Sequence, residues 1–184
     1  GLVSLSVAFT DANENSGTTV TSTTNGSTVL FDKTAPTLSE VTAVSTPTSD
    51  NTSNYTFYSS EAGTITYGGD CDSDNTTAVG EDNNTITFNA LADNTYSNCT
   101  ITVTDITGNT SENLPVSPFK IDTTAPTLSP VTPVSTPTGD NTPNYTFSSS
   151  EAGTITYGGA CGSSTSSAAT SGDNTVTLTQ TDNV

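Results

Sequence analysis

Apolar residues in this chain recur at every second position in short runs, and each run is broken by turn residues. The clearest pairs are Tyr55/Phe57, Ile65/Tyr67, Ile86/Phe88 and Ile101/Val103, each with one polar residue between them. A period of two is what a strand shows when one face is buried and the other is wet. The breaks, at Pro47 to Asn51, Glu61 to Gly63, Gly68 to Glu81, Asp93–Asn94 and Asp105 to Asn109, are rich in Gly, Pro, Asp and Asn. Turns select those residues. The pattern predicts strands over 38–44, 54–59, 63–68, 85–90, 98–104 and 114–121. No stretch carries a helical period. The expected fold is all-β, an antiparallel sandwich of Greek-key sheets.

The pattern is also duplicated. The segment DKTAPTLSEVTAVSTPTSDNTSNYTFYSSEAGTITYGGDC begins at Asp32, and DTTAPTLSPVTPVSTPTGDNTPNYTFSSSEAGTITYGGAC begins at Asp122, 90 residues later. The match runs without a gap from Asp32 through Phe88, which falls opposite Leu178. A period this long is one small domain, longer than most solenoid repeats. Residues 32–121 therefore read as one complete copy. Residues 1–31 read as the closing strands of an earlier copy, because LSVAFTDANEN from Leu5 aligns with CTITVTDITGN from Cys99. That places Asp11 on Asp105 and Asn15 on Asn109. Residues 122–184 read as the opening strands of a following copy. The two incomplete parts are complementary, as expected of a window in a long array. The alternative is that a neighbouring chain supplies the missing strands.

Composition narrows the partners. Only 30% of the 184 residues are hydrophobic, so any core is thin, as it is where two short sheets share one layer of side chains. With 2 Lys+Arg against 19 Asp+Glu there is no cationic patch to neutralise phosphates, which excludes nucleic acid as a partner. Anionic membrane surfaces are disfavoured for the same reason. No apolar run approaches the ~20 residues that insertion across a bilayer needs. Carboxylates without basic partners repel one another unless a divalent cation neutralises them.

DTTAPT at the start of a copy, SSEAGTITY across the second turn, ADNTYS and then TVTDITGN resemble the bacterial immunoglobulin-like repeats of large secreted surface adhesins and biofilm-associated proteins. The resemblance covers essentially the whole chain and implies tandem immunoglobulin-like sandwiches. It also implies an extracellular, cell-surface setting and a rod often stiffened by calcium. The chain departs from the family pattern at Lys33, where Thr is expected, in DANEN, which lacks the family Gly, and in carrying cysteines.

Cys71 follows the strand at 63–68 and Cys99 opens the one at 98–104. Those strands are neighbours in this type of sandwich, so a structural disulfide is expected between them. Cys161 is the counterpart of Cys71, with its partner expected beyond the chain, near position 189. Thiol or metal chemistry is disfavoured, since the chain has no His and no Cys-x-x-Cys.

A sandwich gathers its loops at two poles. One pole is expected to collect Asp32, Glu61 and Asp105 with Asn109. The other is expected to collect Asp50, Asp93 and Asp122, approached by Glu151 of the following copy. Hard oxygen ligands converging at a domain junction suit calcium, and the competing reading is solvated turn residues. A second calcium candidate is DCDSDNTTAVGE, with Asp70, Asp72, Asp74 and Glu81 at loop positions 1, 3, 5 and 12. Its counterpart ACGSSTSSAATS has lost every acid, so an acidic surface loop is the preferred reading there.

Tyr96 is expected to form a tyrosine corner, its hydroxyl bonded to nearby backbone. Lys33 and Lys120 read as solvated segment ends. Asn25, Asn51, Asn54, Asn75, Asn83, Asn98, Asn109 and Asn144 sit in glycosylation sequons, most of them accidental in so Thr-rich a chain. The acids fall on loops that recur with the repeat, without His or Arg support, so catalysis is not expected. The leading functional expectation is a structural stalk, spacer or filament module that contacts neighbouring repeats. The first alternative is a glycan- or surface-binding module that stacks sugars on Tyr58, Tyr67 or Tyr157. The second is a fibre subunit in which Val184 of one chain meets Gly1 of the next.

Overall fold

A computed structural model describes residues 2–23, 29–78, 80–163 and 167–180. The chain divides into two compact units, Gly1–Thr123 and Thr124–Val184. Gly1, Asn25 and Val184, named above, lie outside the described residues.

The first unit opens with β1 (Leu2–Val3), which pairs antiparallel with β2 (Val29–Leu30). Between them runs a hairpin in which Val7 faces Val20 and Thr10 faces Ser16. The sandwich follows: β3 (Leu38–Thr42), β4 (Asn54–Ser59), β5 (Gly63–Gly68), β6 (Thr77–Ala78) and β7 (Asp82–Thr87). It continues with β8 (Asn94–Tyr96), β9 (Thr100–Thr104), β10 (Leu114–Pro115) and β11 (Phe119–Ile121). One sheet has the order β3-β4-β7 and the other β10-β9-β5-β6, with β11 and β8 as a separate pair. All ladders are antiparallel.

The alternation read from the sequence explains this layering. Tyr55 and Phe57 on β4 and Ile86 on β7 point inward from one sheet, and Ile65 on β5 with Ile101 and Val103 on β9 point inward from the other. Together they form one core, which makes the fold a β-sandwich. Each fully buried side chain of this size contributes roughly 1.5–3 kcal/mol. Phe88, Phe119 and Tyr96 stack in series across one end, with ring centroids 5.8 and 5.3 Å apart. Tyr96 donates its hydroxyl to the Ala92 carbonyl at 2.9 Å, the corner expected from sequence.

The expected edges shift where pairing decides them. The strand expected at 85–90 is β7, which starts at Asp82 because β4 offers partners out to Ser59, opposite Asp82. The strand expected over 114–121 is two pieces. β10 extends the β9 sheet, whereas β11 leaves it to pair with β8. Thr48 also joins β11, its N–H donating to the Lys120 carbonyl and its carbonyl accepting from Asp122 N–H. Cys71 and Cys99 are bonded, with their Cα atoms 5.3 Å apart, tying the end of β5 to the start of β9. Such a bond belongs to a non-reducing compartment.

The second unit contains β12 (Leu128–Thr132), β13 (Asn144–Ser149), β14 (Gly153–Thr154), β15 (Cys161–Ser163), β16 (Ala168–Ala169) and β17 (Gly172–Gln180). Its β12-β13-β17 ladder repeats β3-β4-β7 residue for residue. Leu128 faces Ser149 as Leu38 faces Ser59, and Tyr145 faces Val176 as Tyr55 faces Ile86. Even the register irregularity recurs, between Pro130 and Thr132 as between Glu40 and Thr42.

Candidate metal site at one pole of the sandwich

Three carboxylates from distant parts of the chain meet at one pole of the first unit. An oxygen from each of Asp32, Glu61 and Asp105 lies within 4.8 Å of the other two. Asp32 precedes β3, Glu61 sits in the turn between β4 and β5, and Asp105 follows β9. This is the first of the two expected acidic clusters.

Local structure fixes each member. The Glu61 turn is held by Ser59, whose buried hydroxyl donates to the Glu61 carbonyl at 2.6 Å. Gly63 then lets β5 approach β9, since a Cβ there would run into the Thr104 carbonyl. Asp32 accepts from Thr34 N–H at 3.0 Å, and its own carbonyl accepts from the Asn109 amide at 3.3 Å. Asp105, only 8% exposed, organises the turn to β10. Its carboxylate accepts from the N–H groups of Thr107 and Asn109, each at 2.8 Å, from the Thr107 hydroxyl, and from the Asn109 side-chain amide at 2.8 Å. Gly108 closes that turn with φ 93°.

These surroundings push the carboxyls apart in acidity. Burial opposes the Asp105 charge, yet the hydrogen bonds from Asn109 and Thr107 outweigh it and hold its pKa down to about 2. Glu61 moves the other way. Burial, then the negative charges of Asp32 and Asp105, push it above the ordinary glutamate value. The pole thus combines one carboxylate locked in its ionised form with another that is penalised for ionising beside it. A divalent cation would relieve that penalty, and hard oxygen donors suit calcium or magnesium.

The Asp105 turn occurs twice. Asp11 accepts from the N–H groups of Asn13 and Asn15 at 2.9 and 2.8 Å, and from the Asn15 side chain at 3.0 Å. Those Asn15 bonds, the side chain's foremost, lower its pKa. Glu14 takes the place of Gly108, with φ 68°. This is how DANEN closes the turn without its glycine.

The remaining expected ligands have other engagements. Asp50 accepts from Thr52 N–H and hydroxyl at 3.0 and 3.1 Å, an Asx turn. Asp93 accepts from Thr123 N–H and hydroxyl at 2.9 and 2.7 Å, and Asp122 pairs with Lys120 at 2.8 Å. Glu151 lies in the second unit, its carbonyl accepting from Ser149 as that of Glu61 does from Ser59. Among the described residues, Asp50, Asp93 and Asp122 do not gather into a three-carboxylate group. Nor do the acids of the expected twelve-residue loop. Asp70 accepts from the Asn98 amide, Asp72 from Ser73 N–H and Asp74 from the Asn89 amide, while Glu81 turns the chain into β7 with φ 55°. Strand β6 runs through that loop and pairs with β5, so it cannot wrap an ion as a free twelve-residue loop does. Cys161 is an exposed free cysteine. Tyr67 packs against the core and donates its hydroxyl to the Asn75 carbonyl.

Sequence reasoning missed Ser59 and Thr107, which orient two of the three acids. The signal was present, because a Ser two residues before a turn acid and a Thr two residues after one are both frequent local hydrogen-bonding partners. No family model matches this chain, and neither a curated protein nor a solved structure is similar to it.

Proposed function

We propose that this chain is a structural spacer segment of an extracellular surface protein, built from tandem immunoglobulin-like copies and stiffened by calcium at the pole of Asp32, Glu61 and Asp105. The observation that carries the reading is the duplication itself. The same ladder recurs 90 residues on, and the same carboxylate-centred turn occurs at Asp11 and at Asp105. Copies of one unit supply length and spacing, whereas a substrate site needs a unique constellation.

Several features support the finer assignments. Sheets ordered β3-β4-β7 and β10-β9-β5, with the Tyr96 corner, resemble the immunoglobulin arrangement. The disulfide and the large net negative charge fit an extracellular setting. The acidic pole lies where residues 1–31 lead into the sandwich, so a cation there would fix the angle between consecutive copies. In this reading Asp32 and Glu61 supply carboxylate oxygens, and Asp105 is held ready by Asn109 and Thr107. The half-buried Tyr67 belongs to the core, which weakens the sugar-stacking alternative at that position.

Calcium titration by calorimetry, paired with small-angle scattering, tests the proposal. Saturable calcium binding is expected in the wild type and is lost in Glu61→Gln. The scattering envelope should be elongated and become more flexible on chelation. A compact particle that neither binds calcium nor responds to a chelator would overturn the reading.

A further inference from the structure

The chain enters the sandwich of residues 32–121 through β3 and leaves it through β11. Among the described residues, five hydrogen bonds join these entry and exit segments directly. Thr48 N–H donates to the Lys120 carbonyl at 3.0 Å, and Asp122 N–H donates to the Thr48 carbonyl at 2.9 Å. Lys120 N–H donates to the Thr46 hydroxyl at 2.9 Å. Earlier in both segments, the two carboxylate oxygens of Glu40 are taken by Ser117, whose N–H donates at 3.0 Å and whose hydroxyl donates at 2.7 Å. Val44 and Ile121 anchor the two segments on the core. Burial, then the Glu40 charge, push the Tyr55 hydroxyl above its ordinary pKa, which places that carboxylate at the rim of the same core.

The direction of the contact matters more than its size. Thr48 and Ile121 form a parallel bridge, whereas the ladders of the sandwich are antiparallel. One of the two parallel segments is continuous with the chain before the sandwich, and the other with the chain after it. Tension along the chain therefore pulls one from its N-terminal side and the other from its C-terminal side, and slides them past each other. Hydrogen bonds that lie across the strand direction are then loaded together. At the open end of a hairpin, by contrast, they are loaded one at a time. Glu40 is also not part of the repeated pattern, because Pro130 stands 90 residues later and carries no carboxylate.

We infer that the contact between 40–48 and 117–122 is the mechanical clamp of this sandwich: tension is borne there, and the fold opens only when these bonds break together. The clamp deepens the spacer reading and rests on it for its purpose, since a spacer transmits tension. It needs no cation. A sandwich that opens without resistance at this contact would still be a spacer, and a compact particle in scattering would leave the place of the clamp standing.

Constant-force extension of single 184-residue chains held by their two ends, in a chelating buffer, tests the inference. The disulfide marks the step that belongs to this sandwich. Reducing Cys71–Cys99 frees its 28-residue span and should lengthen that step by about 90 Å. Only molecules that were folded give the marked step, so a variant that fails to fold is not mistaken for a weak clamp. Thr46→Val removes the acceptor for Lys120 N–H, and Glu40→Gln leaves one amide oxygen where two carboxylate oxygens accepted. At equal force each should raise the opening rate by about fivefold to tenfold. Tyr96→Phe also loses one hydrogen bond, but within the corner at 92–96. It should lower the urea midpoint and leave the opening rate under load within about twofold of the wild type. Unchanged opening rates in both Thr46→Val and Glu40→Gln overturn the inference. So does an equal acceleration by Tyr96→Phe, which would make overall stability, rather than this contact, the source of resistance.

Discussion

Two stretches of this chain share nearly the same sequence and the same strand register, yet among the described residues only the first forms a closed core. Tyr55 is fully buried, while Tyr145 at the same register is half-buried. Leu38 is half-buried and packs on the core, and Leu128 is 68% exposed. Cys71 is bonded, and Cys161 is free and exposed. Because the residues are the same, their own apolarity cannot explain the difference. In the first unit the segment from β8 to β11 supplies the facing side chains, and among the described residues of the second unit none corresponds to it. A strand pattern specifies which face is inward, and only a partner sheet makes that face an interior.

The largest expected effect comes from removing the same ring on both sides of this comparison. Phe57→Ala leaves a cavity in a closed core and should destabilise the first unit by about 3–5 kcal/mol. Phe147→Ala, at a ring that is 8% exposed and lines an apolar groove, should cost less, about 1.5–3 kcal/mol, near the transfer contribution alone. Urea titration followed by resonances of each unit separates the two. Equal losses would mean that the second core is as closed as the first.

Next in size is the disulfide. Cys71 and Cys99 are 28 residues apart, and opening that loop with paired Ala substitutions should cost roughly 3–4 kcal/mol. Cys161→Ala should stay within about 0.5 kcal/mol, as expected at an exposed position. The Tyr96 corner is smaller again. Tyr96→Phe keeps the ring stack on Phe119 and loses the bond to the Ala92 carbonyl, for about 1 kcal/mol. Tyr96→Phe is read as a shift of the urea midpoint at constant slope, whereas opening the disulfide also steepens the slope, because the unfolded chain expands.

The legible parts of this fold were those set by local alternation. The inward residues Tyr55, Phe57, Ile65, Ile86, Ile101 and Val103 are all core, as their period of two predicts. Placing turns at poles also brought Asp32, Glu61 and Asp105 together on paper, because sandwich topology alone fixes which loops are neighbours. What the pattern could not carry was non-local. The departure of β11 to β8 and its parallel link to Thr48 depend on backbone pairing that no side-chain period records. The greater exposure of Tyr145 and Leu128 was hidden for the opposite reason, since they repeat the buried Tyr55 and the half-buried Leu38 and differ from them in surroundings rather than in sequence.

The smallest effect tests the acidic pole, and here the two units diverge through charge. Glu61 shares its site with Asp32 and Asp105, whereas Glu151 belongs to no three-carboxylate group among the described residues. Because the folded pKa of Glu61 is raised, its contribution is most favourable below its unfolded value of about 4.5 and is lost as pH rises through the folded one. Glu61→Gln keeps the uncharged shape, so in a chelated sample it should stabilise the first unit at pH 7 and match the wild type near pH 4. Asp105 has the opposite sign. Its lowered pKa stabilises the fold above 3.8, and that support fades as pH falls towards about 2. Asp105→Asn should therefore be less stable than the wild type at pH 7, with the gap closing in acid. Calcium, if it binds at this pole, should reverse the Glu61→Gln result by stabilising the wild type and leaving the variant unmoved. A variant stabilised equally with and without calcium would show that the three carboxylates merely repel one another.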